Sequence, residues 1–235
     1  MRTQSGDMRS AEAEKALAVV PLKILSQAKS RLAPAFDSQE RREFVLSMLK
    51  DVLNTLRDSE LVTRIFLVTR QEDIGLKLDV TGIDILADSA DTNLNSALRV
   101  ATSFVRNHHG ERPLIIIPGD VPLITKSDIH GILTLAEQVD SPLVVAASSD
   151  NGGTSALLRK PPDAIDVQFG LSSFRNHQDV AKNKGIAFLE YQSPTLALDI
   201  DTPDDLQALL TYQADNATTQ YLHQSRAIQT LRRKQ

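Results

Sequence analysis

Two hydrophobic rhythms alternate along the chain. Short continuous apolar runs recur, and between them apolar residues repeat at helical spacing. Runs at 16–22 ("ALAVVPL"), 64–69 ("RIFLVT"), 82–88 ("GIDILAD") and 113–120 ("PLIIIPGD") predict strands. Runs at 142–148 ("PLVVAAS"), 154–160 ("TSALLRK") and 186–190 ("IAFLE") predict three more, with 154–160 able to pair with the run before it. Asp37 or Ser38 can cap a helix whose apolar face carries Phe44, Met48, Val52 and Leu56. A second helix over 92–109 aligns Leu94, Ala97, Leu98, Ala101 and Val105. Further helices are predicted over 126–139, 172–182 and 203–210.

Such alternation predicts a single α/β domain with a mostly parallel, mixed sheet and helices on both faces. The run at 113–120 has the pattern of a central strand buried on both sides. The domain is expected over 17–213. Residues 1–16 are polar and read as a disordered extension without the apolar segment of a secretory signal. Residues 214–235 read as a polar, basic tail.

Composition narrows the function classes. The net charge is −4 and aromatic residues make up 4% of 235, which argues against a nucleic-acid partner. The chain has no cysteine, so thiolate metal sites, disulfides and a cysteine nucleophile are excluded. No apolar run approaches the ~20 residues of a membrane span. A cytoplasmic protein away from membranes is the expectation.

Candidate chemistry gathers at predicted strand ends, where parallel α/β sheets place their sites. The loop after the first strand, "PLKILSQAKSRLAPAF", carries Lys23, Lys29, Ser30 and Arg31 but no glycine. It fits either a phosphate loop built from side chains or a solvated basic turn. The run at 113–120 ends in Gly119 and Asp120, which fits a carboxylate at the lip of the sheet or a turn residue. In "LALDIDTPDDL", Asp199 and Asp201 flank Ile200 and point the same way if extended. Like charges so placed are costly unless a cation or basic group lies between them. Asp204 and Asp205 instead fit the first turn of a helix opened by Thr202 and Pro203. Asp120, Asp199 and Asp201 together could hold Mg²⁺, a cation that takes carboxylate, water and phosphate oxygens. In "DNGGTSAL", Asn151, Gly152 and Gly153 form either a hairpin turn or, with Thr154 and Ser155, an anion cradle. In "FGLSSFRNH", Gly170, Ser172 and Ser173 open a helix, an anion site by geometry or a plain cap. The five histidines form no metal pattern; His108 and His109 end a helix, and His130, His177 and His223 stand isolated in sequence.

Read in order, "PLKILSQAKSRLAP", "LNSAL", "PGDVPL", "DNGGTSAL", "FGLSSF" and "DIDTPDDL" resemble the 2-phospho-L-lactate guanylyltransferase family of deazaflavin coenzyme F-420 biosynthesis. The resemblance spans about residues 19–210. It implies a nucleotidyltransferase fold of glycosyltransferase-A type, often dimeric. The implied reaction joins GMP from GTP to 2-phospholactate, phosphoenolpyruvate or 3-phosphoglycerate and releases pyrophosphate. Carried onto this chain, Lys23, Lys29, Ser30 and Arg31 would face the GTP phosphates, with Asn95 and Gly119 beside the nucleotide. Asp120, Asp199 and Asp201 match the acidic metal positions. Thr154, Gly170 and Ser173 match positions that hold the phospho-acid, with Ser155 and Ser172 beside them. Many relatives carry Asn after Gly-Gly-Thr; Ser155 stands there in this chain, and its shorter side chain changes the acid pocket. The rival readings are a nucleotidyltransferase of another pathway, a catalytically silent nucleotide-binding module, and a flavodoxin-like binding protein whose carboxylates merely cap turns.

Overall fold

Runs of Val, Ile and Leu too continuous for a half-exposed strand are satisfied by burial on both faces. In the computed structural model, which describes residues 15–25, 28–71, 73–87, 93–150 and 152–227, they form one seven-stranded sheet. Strands β1 (Ala16–Leu22), β2 (Val62–Thr69), β3 (Ile83–Ala87) and β4 (Leu114–Ile116) are mutually parallel. β5 (Leu143–Ser148) and β6 (Thr154–Lys160) form an antiparallel hairpin, and β7 (Ala187–Glu190) runs parallel to β5. The order across the sheet is β3-β2-β1-β4-β6-β5-β7, so β6 alone runs against its neighbours.

Side-chain alternation divides the core in two. Ala18 and Val20 of β1 and Ile115 of β4 enter the core on one face. Leu17, Val19, Leu114 and Ile116 enter the other. Helices α1 (Ser38–Arg57) and α4 (Lys126–Glu137) cover the first face, and α3 (Leu94–His109) and α5 (Ser173–Asn183) cover the second. Each fully buried Leu, Ile or Phe of these layers contributes about 1.5–3 kcal/mol of burial. Asp37 caps α1 with a capping box to Glu40, as its position predicts.

Three short helices escape a reading based on periodicity: α2 (Ile74–Leu78), α6 (Pro194–Ala197) and α8 (Ala217–Gln224). The last lies within the segment read as a polar tail. α8 packs on α1, and Leu222 and Ala227 are fully buried. Its N-terminus is held by Asp51 of α1, which accepts from Ala217 N at 2.9 Å, Thr218 N at 2.8 Å and Thr218 Oγ1 at 2.5 Å. A carboxylate at a helix start is favoured by the dipole and satisfies otherwise unpaired N–H groups.

A second buried acid places a segment that matters for the site. Asp128 of α4 accepts from Ser193 Oγ at 2.5 Å and Thr195 Oγ1 at 2.8 Å. The chain is thereby pinned just before Asp199 and Asp201. Gly131, one turn along α4, makes room for this: a Cβ there would lie 2.5 Å from the Tyr191 ring.

Candidate active site

β4 stops early for a local reason. Ile117 N still donates to Val19 O at 3.0 Å, but Pro118 has no N–H to continue the ladder. The chain turns outward through Gly119, where a Cβ would sit 3.2 Å from Leu49 Cδ1, and presents Asp120 at the sheet edge. The segment with Asp199 and Asp201 is stitched to this turn by Ile200 N donating to Asp120 O at 3.0 Å. Ile200 is fully buried, so the two acids on either side of it face the same cavity, as their alternation predicts. Asp205 completes a capping box with Thr202 and accepts from Asp201 N at 2.9 Å, which leaves it structural. Pro203 opens that helix, α7 (Pro203–Thr211).

The basic loop delivers a cation between these acids. Lys29 adopts a left-handed conformation, φ 53°, a cost of about 1–2 kcal/mol for a residue with a Cβ. Its ammonium donates to Asp120 Oδ2 and Asp201 Oδ1, both at 2.6 Å. Burial works against the Lys29 charge, but Asp120 and Asp201 outweigh it and raise its pKa. Burial likewise works against Asp201 ionising, and Lys29, then Arg31 and Lys23, overcome it and lower its pKa. Arg31 reaches Asp201 Oδ2 at 3.7 Å from a side chain that is 73% exposed. Lys23 and Ser30 are exposed on the same loop.

Around this charge cluster lie three adjoining cavities, all touching Leu94. One of about 340 Å³ is lined by Lys23, Lys29, Ser30, Gly119 and Asp120. One of about 370 Å³ is lined by Lys23, Arg70, Asn93 and Asn95. One of about 430 Å³ is lined by Thr154, Ser155, Gly170, Ser172, Ser173 and Asp199. Every residue carried over from the family resemblance therefore borders one of three adjoining cavities at the carboxyl ends of β1 and β4.

Several of these side chains also hold the local structure. Asn95 borders the cleft, yet both ends of its amide clasp the backbone of Phe169: Nδ2 donates to O at 2.9 Å and Oδ1 accepts from N at 2.8 Å. Asn95 thus positions the turn that carries Gly170, whose φ of 135° requires glycine. The Ser155 hydroxyl donates to Ala147 O at 3.2 Å. Gly152 has φ 78°, and its N–H is spent on Ser149 O at 2.9 Å, the arrangement of a hairpin turn; Asn151 lies outside the described residues. Asp199 does not complete a three-carboxylate centre: among the described residues no three His, Cys, Asp or Glu side chains lie close enough to hold a metal. The pair Asp120 and Asp201 does share one cation, the Lys29 ammonium. Two hard oxygen donors converging on a positive charge fit a divalent cation of the magnesium type.

The far wall of the cleft is built from neutral groups, and its key member is His177. The ring is fully buried, with Nε2 accepting from Gln168 N at 2.8 Å. Nδ1 lies 3.1 Å from Thr154 Oγ1, and Ser173 Oγ donates to that same oxygen at 3.0 Å. Burial, aided by the Arg159 charge, pushes the His177 pKa down to about 4. In sequence His177 stands isolated because its partners are contributed by β6 and by the turn before α5. The one local clue is its place on α5 with Ser173, four residues earlier and on the same helical face.

Comparisons with known proteins bear on the family and the fold. The guanylyl transferase CofC-like family matches residues 16–232. A 2-phospho-L-lactate guanylyltransferase of Methanothermobacter thermautotrophicus is 32% identical over 90% of this chain and 92% of its own. A phosphoenolpyruvate guanylyltransferase of Sphaerobacter thermophilus is 35% identical over 82% of this chain and 91% of its own. Among solved structures, a protein of Desulfovibrio desulfuricans G20 assigned as a nucleotide-diphospho-sugar transferase superposes with a TM-score of 0.75 at 13% identity, covering 93% and 97% of the two chains. The fold is thus one shared with nucleotide-dependent transferases, and the chain belongs to the guanylyl transferase CofC-like family.

Proposed function

We propose that this protein is a guanylyltransferase that joins GMP from GTP to a three-carbon phospho-acid, with 2-phospho-L-lactate the first candidate and release of pyrophosphate. The observation that carries this reading is the cleft itself. A carboxylate pair bridged by Lys29 stands between a basic loop and a hydroxyl-lined cavity. The chemistry needs two anionic substrates, one triphosphate and one phospho-acid, meeting at one charge-neutralising point. The relatives' names support a guanylyl group and this acid class, and the resemblance read from the sequence implies deazaflavin coenzyme F-420 biosynthesis.

In this mechanism a phosphate oxygen of the acid attacks the α-phosphorus of GTP. The new P–O–P bond forms as the bond between α-phosphorus and pyrophosphate breaks. The attacking phosphate is already an anion at neutral pH, so no side chain has to remove a proton. Catalysis is then positioning and electrostatics. Lys23, Lys29, Ser30 and Arg31 bind the triphosphate; Thr154, Gly170, Ser172 and Ser173 orient the acid. Asp120 and Asp201 would hold Mg²⁺, which supplies neutralisation of the developing phosphate charge. With the acids so engaged, the Lys29 ammonium would be free to pair with the phosphates.

The test is pyrophosphate release from GTP with each of the three acids, with the product mass recorded. A guanylylated product with one of them is expected. Binding of GTP without pyrophosphate release from any acid would instead identify a silent nucleotide-binding module. Turnover with CTP and a sugar phosphate would point to another pathway.

A further inference from the structure

We propose that His177 is a positioning residue that locks the Thr154–Ser173 hydroxyl pair so that one O–H proton is aimed at the substrate anion. The inference deepens the reading of this cavity as the phospho-acid site and rests on it.

The argument is a count of protons. A backbone N–H can only donate, so Gln168 N, at 2.8 Å, obliges His177 Nε2 to be the bare acceptor nitrogen. A neutral imidazole with Nε2 bare carries its proton on Nδ1. That Nδ1–H therefore donates to Thr154 Oγ1 at 3.1 Å and can accept nothing in return. Thr154 and Ser173 bring two hydroxyl protons. One lies in the 3.0 Å contact between them. The other is offered no acceptor by His177, and both side chains border the cavity. The network thus ends in a hydroxyl donor facing that space, whichever of the two oxygens carries it.

Burial makes the arrangement single-valued. Ser173 is 1% exposed and Thr154 6%, so water does not scramble the pair from behind. The Phe169 ring meets the His177 ring edge-on at 5.2 Å and fixes its plane. The low pKa keeps the ring neutral through the physiological range. An Nε2–H ring would face Gln168 N–H donor to donor, which excludes the other tautomer. A donor fixed before the substrate arrives needs no reorganisation on binding, and a hydrogen bond to a charged group is the stronger kind.

Two readouts test the proposal. In long-range ¹H–¹⁵N spectra of the wild-type protein, His177 should show protonated Nδ1 and bare Nε2. The Nε2–H tautomer would overturn the proton count whatever the enzyme's substrate, so this arm stands apart from the functional reading. In steady-state kinetics His177→Phe should raise the KM of the phospho-acid about 10-fold or more while the KM of GTP stays within about twofold. His177→Asn, whose amide can still donate to Thr154, should recover most of that loss, and His177→Gln should not. An unchanged acid KM in a folded His177→Phe protein, or equal damage to both substrates, would reduce His177 to a core residue. Should the Phe variant not fold, the Asn-against-Gln contrast decides alone: an acid KM raised in Asn and normal in Gln overturns the inference. Absence of turnover by the wild type with all three acids sinks the functional reading and leaves the tautomer measurement to judge the network.

Discussion

The two walls of the cleft solve the same problem, holding an anion, by opposite means. The wall after β1 uses full charges: Lys29 between Asp120 and Asp201, with Arg31 at its rim. The wall formed by β6 and α5 uses neutral hydroxyls backed by a neutral imidazole. The charged wall is partly open, with side-chain exposures of 29% for Asp120 and 37% for Asp201. The neutral wall is buried. Charges satisfied by one another can trade partners when a triphosphate arrives, because the phosphates offer Lys29 new anions in place of the carboxylates. Buried hydroxyls cannot trade, because an unpaired polar group in the core costs about 1–3 kcal/mol. The contrast divides the labour: the charged wall adapts and neutralises, and the hydroxyl wall specifies shape.

Breaking the charged wall should produce the largest effect. Asp120→Ala removes half of the cation-holding pair. It should lower kcat/KM by about 10³-fold in the pyrophosphate-release assay, with a thermal melt close to that of wild type. Retained activity in this variant would place the metal elsewhere. Lys29→Ala comes next. It deletes a phosphate contact and leaves Asp120 and Asp201 facing each other without their cation. A loss of about 10²-fold in kcat/KM for GTP is expected. An unchanged GTP response would reduce the ammonium bridge to a structural ion pair.

Much of the charged wall was legible in sequence, and little of the neutral one. A continuous apolar strand that halts at proline predicts an acid at the sheet edge, and Asp120 is there. Asp199 and Asp201 alternate about a buried Ile200, a period-2 signal that survives folding. Asp205 was readable as a cap because capping is local. What stayed hidden was contact between distant segments. Lys29 pairs across 91 residues with Asp120 and 172 with Asp201. His177 meets Thr154 across 23. Spacing rules reach about one helical turn, so such pairs leave no trace in a single sequence. α8 was hidden for another reason. Its buried face includes Thr218, whose polar groups are satisfied by Asp51 from another helix, and Thr219, which bonds Ala214 O and Asn216.

The neutral wall can be probed through stability and pH. The His177 pKa falls from its usual 6.5 to about 4 in the folded protein. Below pH 6.5 the unfolded chain binds a proton that the native ring refuses. Stability is therefore complete above that value and is lost as pH falls toward 4. Across this window the contribution is about 3 kcal/mol. Asp51, whose pKa burial raises, acts in the opposite sense, so the informative quantity is the difference between proteins. Urea unfolding at pH 7, 5.5 and 4.5 should show His177→Asn losing less stability on acidification than wild type. Parallel slopes would mean that the ring takes up its proton without cost.

The smallest effect is expected at the rim, and it separates the two ways a charge can act. Arg31 is 73% exposed and 3.7 Å from Asp201 Oδ2. An ion pair so exposed contributes about 0–1 kcal/mol to folding, so Arg31→Ala should melt within error of wild type. Its value would lie in attracting the triphosphate, a long-range effect that salt screens over about 10 Å at 0.1 M. The KM for GTP should rise about three- to tenfold at low salt and approach the wild-type value at high salt. Lys29 is 10% exposed, and its loss should persist at high salt because a buried charge is screened far less. If both variants lost their effect together as salt rose, the whole charged wall would be a steering surface. A salt-sensitive Arg31 beside a salt-insensitive Lys29 would make the ammonium bridge the point where the nucleotide is held.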